Sequence, residues 1–333
     1  MIKHLAKILV ALAFAAGSNL ATAQPFTMKM STPTANDLSV EWLKTFKAGV
    51  ESRSGGKIKV EIYPANQLGQ IPRTVEGVAL GTIEVTMPAT GFLIGLEPRF
   101  QIFDAIGLFD SAEHAMKVFH DPDIRKRLAT FGASKGIEPL SVFVHSPNEL
   151  VSRKPVRTLA DMAGQKIRVP GSPLLIEPLK KFSASPLSMP LGEVLPALQN
   201  GTIDGSMAGA TIFTAFKYYD VAKALTHLPS SFIVVGAVVN RKFMASLGKE
   251  LEAIVREEAL KADSAVVTWG VDDIARSRKI WTQQGGENIT LSAADQKKFL
   301  DEVGAVTLPI LTATPQLRGD YEAFVATAKK YRK

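Results

Sequence analysis

The stretch GTIEVTM (81–87) recurs as GTIDGSM (201–207). Five of the seven positions are identical or exchange one acidic residue for the other, and Thr86 opposite Ser206 is a sixth close match. Each copy starts at a glycine that ends a helical pattern, which is typical of a helix followed by a strand. The repetition predicts two similar α/β halves, each with its own sheet.

Strand and helix patterns alternate around both copies. In the first half the pattern predicts, in order, strand, helix, strand, helix and strand over residues 26–31, 36–56, 57–64, 72–81 and 82–89. The second half repeats that order over residues 165–170, 172–183, 186–190, 191–201 and 202–208. Such alternation predicts mainly parallel sheets flanked by helices. A helical pattern over residues 246–286 is long enough to span both halves, and we expect a kink at Gly270.

The composition is that of an ordinary globular protein of about two domains. Of its 333 residues, 46% are apolar and 21% are charged, and the formal net charge is +7. The basic residues are scattered and lack the clusters of a nucleic-acid-binding protein, so we expect no nucleic-acid partner. The chain has no cysteine, which excludes disulfides, a cysteine nucleophile and a zinc site with cysteine ligands.

Residues 1–23 have the three-part pattern of a secretory signal peptide. The basic segment MIKHLAK precedes the apolar ILVALAFAAG, which is too short to span a bilayer. Ala21-Thr22-Ala23 fits the small-x-small cleavage rule, so we expect the mature chain to begin at Gln24. Because no cysteine near this site can carry a lipid anchor, we expect a protein retained in the periplasm of a Gram-negative cell.

The segment GQKIRVPG (164–171) reads as a short buried strand that carries Arg168 near its carboxyl end. Ligands of open α/β sheets bind at the carboxyl ends of the strands. A guanidinium group at that place can donate two parallel hydrogen bonds to a carboxylate. The residues alone leave an alternative open, in which Arg168 caps the strand edge or forms an ion pair with Asp161 or Glu193.

Several segments, in this order, resemble the extracytoplasmic solute receptors of tripartite ATP-independent periplasmic (TRAP) transporters. The resemblance covers nearly all of the expected mature chain. It is carried by GGKIKVEIYPANQLGQ (55–70), RKPVRTLADMAGQKIRVP (153–170), SASPLSMPLGEVLPALQNGTIDG (183–205), FKYYDVAKALT (216–226) and VVNRKFMASL (238–247).

The resemblance implies a Venus-flytrap fold, in which two α/β domains are crossed by several segments and a long helix. It also implies a receptor that binds small organic anions and passes them to a sodium-coupled membrane permease. Arg168 stands at the arginine of the family's Lys-x-Arg-Val segment, which pairs with the ligand carboxylate.

The chain departs from the family pattern in the expected pocket. Asn148 stands where many members have a second basic residue, and Leu191 stands where some have an aromatic residue. The segment 206–208 reads Ser-Met-Ala, where many members have Gln-Glu-Asn. Besides Arg168, Asn148 and Leu191, the residues expected at the ligand are Met207, Ala208, Thr32, Ala89, Thr90 and His145.

These departures predict a pocket with one cation, few amides and several apolar groups. Such a pocket suits a monocarboxylate with an apolar or aromatic body, or a 2-oxo or 2-hydroxy acid. Two alternatives stay open at this point. A second cation could come from Arg153, Arg99 or Lys181, and His145 could be structural.

We expect residues 24–146 and 233–272 to form domain I, and residues 147–232 and 273–333 to form domain II. The hinge crossings are then expected near 145–149, 230–234 and 270–275. We expect a monomer without metal, cofactor or catalytic residue, because no zinc-spaced histidine pair, nucleophile elbow, P-loop or dinucleotide motif occurs. A periplasmic hydrolase and a sensor that signals to a receptor protein are the alternatives of a different class.

Overall fold

The computed structural model describes residues 25–332, so the expected signal peptide and its cleavage site lie outside the described residues. The strands of this part are β1 (Phe26–Ser31), β2 (Ile58–Tyr63), β3 (Val85–Thr86), β4 (Ile137–Ser152), β5 (Lys166–Val169), β6 (Ser185–Ser188), β7 (Gly205–Ala208), β8 (Ala224–Asn240) and β9 (Glu287–Thr290). The helices are α1 (Leu38–Arg53), α2 (Ile71–Leu80), α3 (Ala112–His120), α4 (Pro122–Leu128), α5 (Pro173–Lys181), α6 (Leu191–Gln199), α7 (Ala210–Ala215), α8 (Arg241–Gln283), α9 (Ala293–Leu311) and α10 (Pro315–Tyr331). None of these helices is both long and apolar enough to cross a membrane.

The described strands form one sheet with the order β2-β1-β3-β8-β4-β7-β5-β6, and β9 pairs with β8. This order is symmetrical about the long antiparallel pair β4 and β8. On each side a short strand, β3 or β7, pairs with the central strands, and two parallel strands follow it. The two α/β halves are therefore confirmed. Their sheets are not separate, however, because β4 and β8 run through both halves and join them.

The two copies of the repeated heptapeptide occupy equivalent places. Gly81 and Gly201 have φ angles of 80° and 76°, the left-handed conformation in which glycine commonly ends a helix. The strands β3 and β7 follow them. β3 is shorter than the expected strand 82–89, because the first two amide groups of that segment still bond to the carbonyl of Gly77 in α2.

The kink in the long helix α8 lies at Gly248, so the expected kink at Gly270 is wrong. Gly248 has φ 74° and ψ 164°, a conformation that is essentially restricted to glycine. Gly270 continues the helix and serves close packing instead. A β-carbon there would lie 3.2 Å from Cδ1 of Leu38 in α1.

Helix α8 contacts both halves, as the sequence predicts. Trp42 in α1 donates a hydrogen bond of 2.7 Å to Oδ1 of Asp263 in α8. Further along α8, the carbonyl oxygen of Ser277 accepts a hydrogen bond of 3.2 Å from Thr214 in α7. The helix therefore provides a third connection between the halves, beside β4 and β8.

The last helix, α10, packs against the first half. The rings of Phe324 in α10 and Phe103 meet edge to face with centroids 5.4 Å apart. Nε2 of His114 in α3 lies 2.9 Å from the carbonyl oxygen of Ala328 in α10. The expected domain II included all of 273–333, whereas these contacts place α10 with the first half.

The position of the kink can be tested with two glycine substitutions. Gly248→Ala should lower the free energy of unfolding by about 1–3 kcal/mol, because alanine would be strained at this φ and ψ. Gly304→Ala, inside α9, should instead raise it by about 0.5–1 kcal/mol. At both positions a β-carbon would meet nothing within 4 Å, so the comparison isolates the backbone. Urea unfolding measures both, and a stabilised Gly248→Ala protein would contradict the kink.

Candidate functional site

The carboxyl ends of the parallel strands face a buried cavity between the two halves. The empty space here measures about 470 Å³, which includes open solvent at its mouth. The predicted residues that line it are Arg168, Leu191, Met207, Ala208, Ala89 and His145. Several apolar residues that line the cavity were not predicted from the sequence, namely Ile71, Phe92, Pro170, Ile212, Ile233 and Val235.

Arg168 is the one arginine or lysine among residues 25–332 that lines this cavity. It is 2% exposed. Nε donates a hydrogen bond of 3.0 Å to the carbonyl oxygen of Met189, and Nη1 donates one of 3.1 Å to that of Met207. These two bonds orient the guanidinium group at the end of β5, where the sequence predicts it.

No carboxylate of residues 25–332 lies within 4.0 Å of this guanidinium group. The alternative partners are engaged elsewhere or face solvent: Asp161 accepts hydrogen bonds from the amides of Arg157 and Thr158, and Glu193 is exposed. A guanidinium group has five N–H donors, and the two carbonyl groups engage only two of them. The others remain available to an acceptor in the cavity.

Arg168 carries its positive charge in a region of low polarity. Burial lowers the pKa of Arg168 to about 10, so the group is still protonated at neutral pH. Burial also raises the pKa of the nearby Tyr218 to about 12, so that phenol is neutral and supplies no opposite charge. The ring centroid of Phe92 lies 5.9 Å from Cζ of Arg168. An anion beside the guanidinium group would be strongly attracted, because little water screens the charge.

His145 is held by a helix cap of the first half. Its Nε2 lies 2.8 Å from Oδ2 of Asp37, and its Nδ1 lies 3.1 Å from Oγ of Ser146. Burial opposes the ionisation of Asp37, but its pKa is still lowered by His145 and by hydrogen bonds that include the amide of Val40 in α1. His145 therefore has a structural partner and also borders the cavity.

Three of the predicted residues do not line the cavity. Thr32 is buried, and its Oγ1 lies 3.0 Å from Oγ1 of Thr34, which does line the cavity. Thr90 is also buried and donates a hydrogen bond of 3.3 Å to the carbonyl oxygen of Val234. Asn148 lies inside β4, and its Oδ1 has no hydrogen-bond partner among the described residues. Thr32 follows β1 and Thr90 follows β3, but neither residue lines the cavity, and nor does Asn148.

None of the alternative second cations lines the cavity. Arg99 forms ion pairs with Glu97 at 2.7 Å and Asp320 at 3.3 Å. Lys181 pairs with Glu302 at 3.2 Å. Arg153 lies beside Gly201, at the far end of α6.

A larger cavity of about 1090 Å³ lies between α3, the central strands and α8. Its acidic lining residues are Asp110, Glu113 and Asp263, and its basic lining residues among those described are the histidines His145 and His227, with no arginine or lysine. A carboxylate would meet like charge there. The smaller cavity at Arg168 is therefore the candidate site for an anion.

Comparison with known proteins identifies the family. The family model for "Bacterial extracellular solute-binding protein, family 7" matches residues 30–310. The chain belongs to this family. The 2,3-diketo-L-gulonate-binding periplasmic protein YiaO of Escherichia coli (strain K12) is 30% identical over 264 residues, which are 78% of this chain and 79% of that protein.

Solved structures of the family have the same fold. A TRAP periplasmic solute binding protein from Desulfovibrio salexigens with bound orotic acid has a TM-score of 0.84 and 25% identity, covering 91% of this chain and 99% of that chain. The sugar acid binding protein of Advenella mimigardefordensis in complex with galactonate has a TM-score of 0.86 and 21% identity, covering 93% and 99%. The resemblance to TRAP receptors and the two-domain α/β fold are thereby confirmed.

The contact between the halves can be tested at Gly91. A β-carbon there would lie 3.3 Å from Cβ of Pro170 and 3.4 Å from Cβ of Ser172, both in the second half. Gly91→Ala should weaken the binding of an organic acid by ~5- to ~150-fold, because overpacking costs about 1–3 kcal/mol in the closed protein.

Gly95→Ala is the matched control, since a β-carbon at this exposed glycine would meet nothing within 4 Å. Its affinity should equal that of the unmodified protein. Titration calorimetry measures both variants, and equal affinities of Gly91→Ala and Gly95→Ala would contradict the close contact.

Proposed function

We propose that the protein captures a small organic acid at Arg168 and delivers it to a sodium-coupled TRAP permease. The observation that carries the proposal is a buried arginine that lines a cavity and has no carboxylate partner among the described residues. The ligands named for relatives support it, since they include 2,3-diketo-L-gulonate, orotic acid and galactonate.

Electrostatics favours a carboxylate as the group that Arg168 binds. Burying a charged side chain costs several kcal/mol unless an opposite charge and hydrogen bonds compensate it. The two carbonyl groups at Met189 and Met207 provide part of this compensation. A ligand carboxylate would provide the rest through two parallel hydrogen bonds to the remaining donors.

The lining of the cavity favours a ligand with one acidic group. Arg168 would bind the carboxylate, and we propose that Leu191, Met207, Ala208, Ala89 and Phe92 surround the body of the ligand. These side chains offer apolar surface and few hydrogen bonds. A monocarboxylate with an apolar or aromatic body, or a 2-oxo or 2-hydroxy acid, therefore fits better than a polyhydroxylated acid.

We propose that the two domains hinge at the expected crossings. The β4–β8 ladder shifts register between Val144 and Ser146 and again between Pro147 and Glu149, and ladder irregularities of this kind bend strands. Domain I would then consist of residues 24–146 and 233–272 together with α10. Domain II would consist of 147–232 and 273–314.

We propose that residues 1–23 direct export to the periplasm and are then removed. The support is the basic segment, the apolar segment and Ala21-Thr22-Ala23 in that order. The intact mass of the protein recovered from the periplasm should correspond to a chain that starts at Gln24. A mass that includes Met1 would contradict cleavage.

We propose binding without catalysis. Among the described residues no cluster of three or more histidine and acidic residues has the arrangement of a metal site, and no observation favours the hydrolase alternative. A sensor for organic acids would use the same cavity, so the proposed delivery to a permease rests on the TRAP family. Turnover of a panel of esters and amides would contradict the proposal.

Replacement of Arg168 tests the proposal most sharply. A thermal-shift screen of organic acids, including orotate, benzoate, pyruvate and galacturonate, first selects the ligand. Arg168→Ala should then weaken its binding roughly 30- to 3,000-fold, because the loss of one partner of a buried charge pair costs about 2–5 kcal/mol. Arg168→Lys should restore only part of the affinity, since an ammonium group lacks the planar two-point contact.

Lys166→Ala is the matched control, because Lys166 is the exposed residue of the same strand. It should leave the affinity unchanged, and none of these variants should shift the melting temperature of the unliganded protein by much. If Arg168→Ala binds within about threefold of the unmodified protein and melts at a lower temperature, Arg168 is structural and the proposal fails.

A further inference from the structure

Asp104 is a buried acidic residue at the contact between the two halves. It ends the 3₁₀-helix Pro98–Asp104. Its Oδ2 lies 3.3 Å from the position that a β-carbon would take on Gly91, and Cβ of Ser172 lies 3.4 Å from the same position. Asp104 belongs to the proposed domain I and Ser172 to the proposed domain II, and both side chains lie beside Gly91 at the contact between the halves.

Within residues 25–332, neither side chain has an aligned hydrogen bond. Oδ2 of Asp104 and Oγ of Ser172 are both buried without a partner among the described residues. Buried polar atoms are nearly always hydrogen-bonded, so two such atoms side by side require an explanation. Burial raises the pKa of Asp104 to about 7, and the Ser172 hydroxyl counteracts this rise only in part. An exposed aspartate has a pKa of ~3.9.

Among residues 25–332, no charged group offsets the burial of Asp104. Its 3₁₀-helix packs against residues 90–92, α5, β8 and α10, and the segment 90–92 carries no titratable side chain. Arg99, in the same 3₁₀-helix, pairs with Glu97 and Asp320.

The remaining ionisable side chains of the packed elements are paired or solvent-facing. The paired ones form Lys180–Glu177, Lys181–Glu302 and Lys330–Asp121. His227 lies 3.9 Å from Glu149, and burial and the charge of Arg278 lower its pKa. The hydroxyl group of Tyr331 donates a hydrogen bond of 3.0 Å to Oδ2 of Asp121. Burial raises the pKa of Tyr321, so Tyr321 is neutral near pH 7. Arg318, Glu322 and Lys329 are exposed.

We propose that Asp104 is a proton-dependent closure latch, which enters the contact with Ser172 as a neutral acid, so that binding of the ligand takes up a proton. The inference rests on the proposed function, because it requires the domains to close on a ligand. When the domains separate, water reaches Asp104 and the ionised form is favoured. When they close, the protonated carboxyl group can donate a hydrogen bond to the Ser172 hydroxyl.

Binding should therefore weaken as the pH rises. Below ~4, the ordinary pKa of aspartate, Asp104 is neutral in both states and pH has no effect through it. Between ~4 and about 7, the open form is ionised and the closed form is neutral, so each pH unit weakens binding by up to ~tenfold. Above about 7 the closed form ionises as well, and the affinity becomes constant.

Titration calorimetry between about pH 5 and about pH 8 tests the latch, because carboxylate ligands remain ionised over this range. Orotate is the first probe, and pyruvate, benzoate and galacturonate follow. Buffers with different ionisation enthalpies give the number of protons taken up. The unmodified protein should take up close to one proton per ligand near pH 6 and lose ~tenfold or more of its affinity between pH 5 and pH 7.

Asp104→Asn cannot ionise, so its affinity should be independent of pH and its proton uptake should be lost. At pH 8 it should bind at least ~tenfold more tightly than the unmodified protein. Asp123→Asn is the matched control, because Asp123 is an exposed aspartate of the first half, and it should retain the normal pH profile. Ser172→Ala keeps the carboxyl group and should retain proton uptake while it binds more weakly in acid.

Equal pH profiles and equal proton uptake in the unmodified protein and Asp104→Asn would overturn the latch. If Asp104→Asn does not fold, the unmodified protein and Ser172→Ala decide, and the absence of proton uptake in both would overturn it. If no probe binds to any of these proteins at any pH, the proposed function itself fails, and the latch fails with it.

Discussion

The proposed binding site depends on one buried positive charge, Arg168, that has no carboxylate within 4.0 Å among residues 25–332. Arg168 is oriented by the carbonyl oxygens of Met189 and Met207, which stabilise the guanidinium group as dipoles but do not neutralise it. Such a group costs free energy until an anion reaches it. The arrangement that makes the burial of Arg168 costly would therefore favour a carboxylate as the ligand that we propose for this site.

The symmetry of the sheet explains why this charge lies in a cleft. The sheet places β3 and β5 on opposite sides of the central pair β4 and β8. The residues after these two strands meet, since a β-carbon on Gly91 would lie 3.3 Å from Cβ of Pro170. Arg168 comes from one side, and Ala89 and Phe92 come from the other. Neither half alone encloses the site, and a ligand would interact with both walls only when the halves approach each other. Binding and closure are therefore one process in this account.

The sequence allows the features set by local patterns to be predicted. A strand that stops at Pro170 places Arg168 at a carboxyl end, and the recurring heptapeptide reveals two related halves. Positions that depend on distant contacts are different. A glycine in a helical pattern is compatible with a bend or with close packing, and only the structure shows that Gly248 bends α8 while Gly270 packs against Leu38.

The same reason explains the other differences. Whether a strand continues through both halves depends on the strand that it pairs with. The sequence pattern of β4 or β8 alone therefore does not predict that this pair joins the two sheets. Thr32 and Thr90 come after strands of the first half. The hydroxyl group of Thr32 lies within hydrogen-bonding distance of the Thr34 hydroxyl, and that of Thr90 donates to the carbonyl oxygen of Val234. Helix α10 joins the first half through contacts such as that of Phe324 with Phe103, which no local pattern specifies.

The distance between the two halves tests the coupling of binding and closure most directly. The chain has no cysteine, so spin labels can be attached to the double variant Glu76→Cys and Glu193→Cys without background labelling. Both positions are exposed, and they lie on α2 and α6, whose first residues border opposite sides of the cavity. Double electron–electron resonance should show a broad distribution without ligand and a shorter, narrower one at saturation with the organic acid. An unchanged distribution at saturation would contradict closure around Arg168.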